Sequence, residues 1–278
     1  MDTFRRGDLV FDVRDSGPAD GEPVVLLHGF PQDATAFSAV ADQLHLAGLR
    51  TLAPDQRGYS PGARPDGRSA YVMREVVDDV LALLDAAGLD SAHVVGHDWG
   101  GIAAWALAAW HPWRVRTLTA LSVPHPAAMA QAVVRSDQAL RSSYIGFFQL
   151  PLVPEGVLLA GHGAALRRML HQGGLPDDLV DEYVGRMREP GALTAALNWY
   201  RAVPLAARAP VGTVRVPTLH VWGDRDAFLG RAAVEASARF VAAPYTLEVL
   251  EGTNHWIPEL AAEQVGELVT AHVRTAPR

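Results

Sequence analysis

Three side chains have the types, and stand in the order, needed to form and then hydrolyse a covalent ester: Asp98, Asp226 and His255. Asp98 lies in Gly96-His97-Asp98-Trp99-Gly100, the frame of a nucleophile elbow with aspartate where serine is commoner. Such a strand-to-helix turn needs glycines because neighbouring backbone comes close and the central residue is strained. An aspartate capping an ordinary strand–helix turn would read the same way, so the partners decide. His255 can carry protons because imidazole titrates near neutrality. A carboxylate behind it fixes the tautomer and stabilises the imidazolium that forms. Asp226 is preferred for that acid, and Asp224 is its rival, expected to make local loop hydrogen bonds.

Gly58-Tyr59-Ser60-Pro61-Gly62 fits the serine form of the elbow. There the residue after the nucleophile must donate its N–H to an oxyanion, and Pro61 has none. Ser60 is therefore expected to be structural. His28-Gly29-Phe30-Pro31 follows an apolar run, and the N–H of Phe30 can pair with that of Trp99 as an oxyanion hole. Asp55 and Arg57, in Asp-Gln-Arg-Gly-Tyr, are expected to form a structural ion pair or loop lock. Of the 11 histidines, His93, His111, His162 and His171 are expected to be structural, and His125 to mark the way into a cap.

Residues so scattered in sequence need a scaffold that gathers them. Short β-rich runs are predicted at 9–13, 24–27, 49–53, 92–95, 116–121, 218–222 and 245–250. Amphipathic helices are predicted at 36–46, 72–87, 102–110, 231–240 and 259–273. Alternation of this kind predicts a mostly parallel sheet with helices on both faces. Between about 127 and 213 the chain reads as helices and Pro/Gly turns without a strand, so a helical cap is predicted there, with 1–126 and 214–278 as the core. His28, Asp98, Asp226 and His255 all fall just after predicted strands, at the carboxyl edge where such sheets bind ligands.

Length and composition narrow the classes. The 278 residues suffice for one large α/β domain with an insertion, and 49% are apolar. A formal net charge of -7 without long charge blocks speaks against nucleic acid as a partner. The absence of cysteine excludes a disulfide framework, a thiol nucleophile and cysteine metal sites. No phosphate loop, dinucleotide fingerprint or metal-ligand cluster appears, so no cofactor and no metal is implied. Residues 1–14 are charged and alternating, unlike a signal peptide, and no run nears the roughly 20 apolar residues of a membrane span. A cytoplasmic protein is the expectation, and the sequence is compatible with a homodimer.

With these residues in view, positions from about 8 to 275 resemble the epoxide hydrolases of the α/β-hydrolase fold, relatives of haloalkane dehalogenases. The matching landmarks are His28-Gly29-Phe30-Pro31, Asp55-Gln56-Arg57-Gly58-Tyr59-Ser60, Gly96-His97-Asp98-Trp99-Gly100, Trp222-Gly223-Asp224-Arg225-Asp226 and His255-Trp256. The resemblance implies two cap tyrosines that hold the epoxide oxygen. By position in Ser143-Tyr144-Ile145-Gly146-Phe147-Phe148 and Asn198-Trp199-Tyr200-Arg201 these are Tyr144 and Tyr200; buried tyrosines that merely pack would look alike. His28, Phe147, Phe148 and Trp199 are expected to line the site of a small apolar epoxide.

The implied activity opens an epoxide to a vicinal diol through an ester on Asp98, which water activated by His255 then hydrolyses. A haloalkane dehalogenase is the alternative. It needs N–H donors for a halide, which Trp99 and a cap tryptophan could supply, but Phe30 stands where the first loop would carry asparagine. Fluoroacetate dehalogenases follow the aspartate with arginine, and Trp99 holds that place here. A binding protein without turnover is a third reading, against which the full set of Asp98, Asp226 and His255 speaks.

Overall fold

Runs rich in valine and leucine become strands because apolar and β-branched side chains pack on both faces of a covered sheet. The computed structural model describes residues 1–276. In chain order the strands are β1 (Thr3–Arg6), β2 (Leu9–Ser16), β3 (Pro23–Leu27), β4 (Arg50–Pro54), β5 (Ala92–His97), β6 (Val115–Leu121), β7 (Thr218–Gly223) and β8 (Tyr245–Leu250). They form one eight-stranded sheet in the order β1-β2-β4-β3-β5-β6-β7-β8. The β1–β2 and β2–β4 pairings are antiparallel and the others parallel. The helices of the first half are α1 (Ser38–Leu46), α2 (Met73–Ala86) and α3 (Trp99–Trp110).

Period-two alternation splits the core between the two faces. Val24, Leu26, Val95 and Leu121 point to one side. Val25, Leu27, Val94 and Leu118 point to the other, where their apolar cluster continues into the insertion through Phe148, Trp199 and Tyr200. That insertion lies between β6 and β7 and is helical: α4 (Pro126–Arg135), α5 (Gln138–Arg141), α6 (Ser143–Phe148), α7 (Val153–Gln172), α8 (Asp177–Met187) and α9 (Ala192–Arg201). The chain closes with α10 (Arg231–Ala236), α11 (Ile257–Leu260) and α12 (Ala262–Val273). Among the described residues, no helix is long and apolar enough to cross a membrane.

Three elements differ from the sequence-based expectation. Strand β1 was not foreseen; its one apolar anchor, Phe4, stacks on Phe11 with ring centroids 4.6 Å apart, so pairing with β2 makes the strand. The helix expected over 259–273 is broken at Ala261, whose φ of -134° and ψ of 33° are not helical. The one expected over 231–240 ends at Ala236 and continues as a 3-10 turn, Ser237–Phe240.

Polar contacts seat the cap on the core. Arg186 of α8 reaches Asp33 Oδ2 through Nε and Asp55 Oδ2 through a terminal nitrogen, both at 2.8 Å. Arg64 lies 2.7 Å from Glu189. Trp199 donates its indole N–H to the Arg57 carbonyl at 2.8 Å. Asp55 and Arg57 thus both lock loops but do not pair with each other: Arg57 grips Asp79 with Nε at 2.7 Å and a terminal nitrogen at 2.6 Å. Ser60 is fully buried, donating to the Asp55 carbonyl (2.7 Å) and accepting from the Asp12 N–H (2.9 Å).

Candidate active site

The turn from β5 into α3 holds Asp98 at φ 50°, ψ -120°, outside the regions an L-residue prefers. Its side chain makes no capping bond to the helix it precedes. Instead Oδ1 accepts the Phe30 N–H at 2.9 Å, and the Trp99 N–H also stabilises the carboxylate. The crowding explains the neighbouring glycines. A Cβ on Gly29 would collide with the Asp98 Cβ and stand 2.5 Å from Oδ1; one on Gly100 would collide with the Leu27 carbonyl.

His255 follows β8 and Asp226 follows β7, so parallel strands bring both to the sheet edge where Asp98 stands. His255 Nδ1 is 2.8 Å from Asp226 Oδ2, and Nε2 is 3.9 Å from Asp98 Oδ2. The other Asp226 oxygen accepts the N–H groups of Phe228 (2.8 Å) and Leu229 (3.0 Å), which aims the carboxylate at the ring. Asp224 is exposed and accepts the Gly252 N–H at 2.7 Å, away from His255.

Burial pushes the Asp98 carboxyl above its ordinary range, opposed by the His255 charge and the Phe30 and Trp99 N–H groups. Burial pulls His255 down, but the charge and hydrogen bond of Asp226 and then the Asp98 charge hold it above its ordinary value. The two titrations are linked: neutralising Asp98 lowers His255.

Over the carboxylate stands an aromatic box from both parts of the chain. Tyr144 comes from α6 and Tyr200 from α9, with ring centroids 5.9 Å apart. Tyr200 meets Trp99 at 5.0 Å, Phe148 at 5.0 Å and Phe30 at 5.4 Å; Tyr144 meets Phe228 at 6.0 Å, and Phe228 meets His255 at 5.0 Å. Burial raises both phenols above the ordinary tyrosine value. Asp98 adds to this in each, after the Tyr144 hydroxyl in the case of Tyr200. Phe147 is half-buried beside Phe148, at 5.9 Å.

Two residues expected to line the site are placed otherwise. His28 is fully buried beneath the first loop: Nδ1 is 2.9 Å from the Gly29 carbonyl, and Nε2 accepts the Gln56 N–H at 3.1 Å, so neither nitrogen is left for a ligand. Trp199 is buried 5.8 Å behind Trp99, with its N–H spent on Arg57. His125 stands at the start of α4, where Nδ1 accepts the Ala127 N–H at 3.1 Å.

Sequence reasoning missed the groups that hold His255 from behind. Its carbonyl accepts from Ser122 Oγ and lies against His97 Nε2, each at 2.9 Å. His97 Nδ1 is 2.8 Å from Gln32 Oε1, and Gln32 Nε2 donates to Glu259 at 2.7 Å. His97 lay in a motif already recognised, but nothing local marked Ser122, Gln32 or Glu259. Among the described residues, no His, Cys, Asp or Glu cluster could hold a metal ion. The arrangement can deliver a carboxylate to an electrophile, donate hydrogen bonds from two phenols, and activate water at a paired imidazole.

Comparison with known proteins agrees with the fold. A family model described as alpha/beta hydrolase fold matches residues 22–262. The chain is similar to the AB hydrolase superfamily protein YfhM of Bacillus subtilis, 35% identical over 272 residues, 96% of this chain and 95% of that one. It is also similar to Epoxide hydrolase A of Mycobacterium tuberculosis, 32% identical over 300 residues, 90% of this chain and 89% of that one. Among solved structures, Epoxide Hydrolase A from Mycobacterium thermoresistibile superposes with a TM-score of 0.85 at 26% identity, over 99% of this chain and 98% of the other.

Proposed function

The chain belongs to the alpha/beta hydrolase fold family, and from that premise we propose that it is an epoxide hydrolase acting on small apolar epoxides. In this reading residues 1–126 and 214–278 form the core and 127–213 the cap. The observation that carries it is the meeting of Tyr144 and Tyr200, from two cap helices, over the Asp98 carboxylate. Two phenols facing a carboxylate suit an electrophile whose oxygen becomes an alkoxide and must be protonated.

Asp98 Oδ2 attacks a ring carbon while the carbon–oxygen bond breaks, and a phenol proton passes to the alkoxide. The nucleophile's charge had raised both phenols, so consuming it makes them better acids as the proton is needed. The same event lowers His255, turning it toward the neutral base required next. Water then adds to the Asp98 carbonyl carbon and gives its proton to His255, oriented by Asp226. Oδ1 becomes the oxyanion, held by the N–H groups of Phe30 and Trp99. Collapse expels the diol oxygen, which takes the proton from His255. The proton on the regenerated carboxyl restores the phenol.

A halide cradle fits less well, because the N–H of the cap tryptophan, Trp199, is bonded to the Arg57 carbonyl. The test is a single turnover with styrene oxide in heavy-oxygen water, followed by mass analysis of the Asp98 peptide. Because water attacks the enzyme's own carbonyl, heavy oxygen is expected on Asp98. Diol formation with unlabelled Asp98 would sink the proposal.

A further inference from the structure

The helix that carries Tyr200 borders a cavity on its other side. Residues two apart on an α-helix point in nearly opposite directions, so Asn198 faces away from the aromatic box while Tyr200 faces into it. With Gly191, Thr194 and Ala195, spaced as one helical stripe, Asn198 lines a cavity of about 700 Å³ between α9 and the loop after β4. Pro61, Pro65 and Pro190 supply apolar wall. No residue of the aromatic box lines this cavity, and Trp199, 2% exposed, packs against Trp99 rather than opening to it.

Most polar groups of the lining are already spent. Arg64 donates to the carbonyls of Gly58, Tyr59 and Pro190 and pairs with Glu189 at 2.7 Å. The Thr194 hydroxyl donates to Glu155 at 3.1 Å. Asn198 differs. It is 7% exposed and its carbonyl accepts the Ala202 N–H at 2.9 Å, but its side-chain amide bonds to no other described residue. The Tyr71 hydroxyl beside it is buried and likewise without a partner. A primary amide offers donors and an acceptor, and leaving a buried one unmet is costly. A hydroxyl-bearing guest suits it, because one oxygen both gives and takes a hydrogen bond. Charge selects as well: Glu189 and the exposed Asp66 oppose a carboxylate, and Arg64 opposes a cation.

We propose that this cavity is a second binding site, for small neutral molecules that join hydroxyl groups to an apolar body, with Asn198 as its hydrogen-bonding residue. The apolar part packs among the three prolines and Ala195, and a hydroxyl meets the Asn198 amide. Vicinal diols are of this class. That the enzyme makes one rests on the proposed function, whereas the preference for neutral hydroxyl compounds follows from the lining alone.

The chain has two asparagines, Asn198 and Asn254, so NMR of protein labelled in asparagine side-chain nitrogen gives one reporter for each site. Asn254 adjoins His255, and its Oδ1 accepts the Trp256 N–H at 3.0 Å. In a titration with the diol of styrene oxide, the Asn198 amide signal is expected to shift to saturation below about 50 mM. Thr194→Trp, a change on the exposed side of α9, fills the cavity and should abolish that shift while Asn254 still responds. Mandelate, the same skeleton with a carboxylate, should bind at Asn198 at least about tenfold more weakly than the diol. Asp66→Asn should narrow that gap by about threefold. An Asn198 signal that stays in place up to about 50 mM diol overturns the proposal. So does a shift that persists in folded Thr194→Trp, which would mark a relay from the active site, and so does mandelate binding as tightly as the diol. Should Thr194→Trp fail to fold, Asp66→Asn decides, and an unchanged gap counts against the site. If Asn254 never responds and native protein makes no diol from styrene oxide, the proposed function falls, while the Asn198 signal still decides the second site.

Discussion

Removing the two phenolic hydroxyls tests the most specific part of the proposed function, the identity of the electrophile. Tyr144→Phe with Tyr200→Phe deletes two oxygens and leaves the aromatic box intact. Tyr200 is 3% exposed, and its ring keeps its neighbours Trp99 and Phe148 (5.0 Å each) and Phe30 (5.4 Å). No cavity larger than a hydroxyl opens, so stability should change by less than about 1 kcal/mol and Tm by no more than a few degrees. The chemical effect should be far larger. Losing one preorganised donor to a developing oxyanion typically costs about 10²- to 10³-fold, or roughly 3–4 kcal/mol. Each single variant should therefore slow ester formation by about 10²-fold. The double variant should lose less than the product, because both donors serve one oxygen. Trp99 adjoins Asp98, so stopped-flow tryptophan fluorescence with excess styrene oxide can follow ester formation and breakdown separately. Formation should collapse while breakdown, which needs His255 rather than the phenols, stays within about threefold. A double variant that opens styrene oxide at the native rate would refute the cap assignment.

Other consequences follow from the same contacts. Gly29→Ala drives a Cβ into Asp98 and should cut kcat by about 10²-fold or more, since misplacing a reacting group by an ångström costs that much; native kcat would mean that the elbow tolerates displacement. Ser60→Ala should stay active but lose about 1–2 kcal/mol in urea unfolding, because it leaves the Asp55 carbonyl and Asp12 N–H unpaired; loss of activity at unchanged stability would revive the serine elbow. The two chemical steps should also differ in pH dependence. Ester formation needs ionised Asp98, so it should fall with decreasing pH, and earlier than for an ordinary aspartate, because burial raises that carboxyl. Breakdown needs neutral His255, so it should rise with pH, through a value below that of His255 in the resting enzyme, because the ester has removed the Asp98 charge. Identical pH profiles for the two steps would contradict the linkage.

The fold was readable where local sequence carries the constraint. A parallel strand buried on both faces must be a short apolar run, so β3, β5, β6 and β7 stood out; the elbow stood out because only glycine fits beside its strained centre. Strand β1 did not, since a single phenylalanine among charged residues carries no period of its own and the strand exists through its partner. The cap resolved into a helical region but not into its contacts, because a pairing such as Arg186 with Asp33 and Asp55 joins residues far apart in the chain.

Asp98, Asp226 and His255 could be singled out as candidates from type, order and position after strands, because chemistry restricts which side chains can attack, relay protons and orient a base, and the fold brings the three together. Which carboxylate faces His255 was a matter of tertiary structure: Asp226 is buried 2.8 Å from Nδ1, while Asp224, two residues earlier, turns to Gly252 in solvent. The same holds for His28 and Trp199, whose side chains the folded protein spends on backbone partners. It holds also for Gln32, His97, Ser122 and Glu259, gathered behind His255 from four separate segments. Residue type sets what a group can do, whereas burial and hydrogen-bond direction, which no local pattern encodes, set what it is free to do.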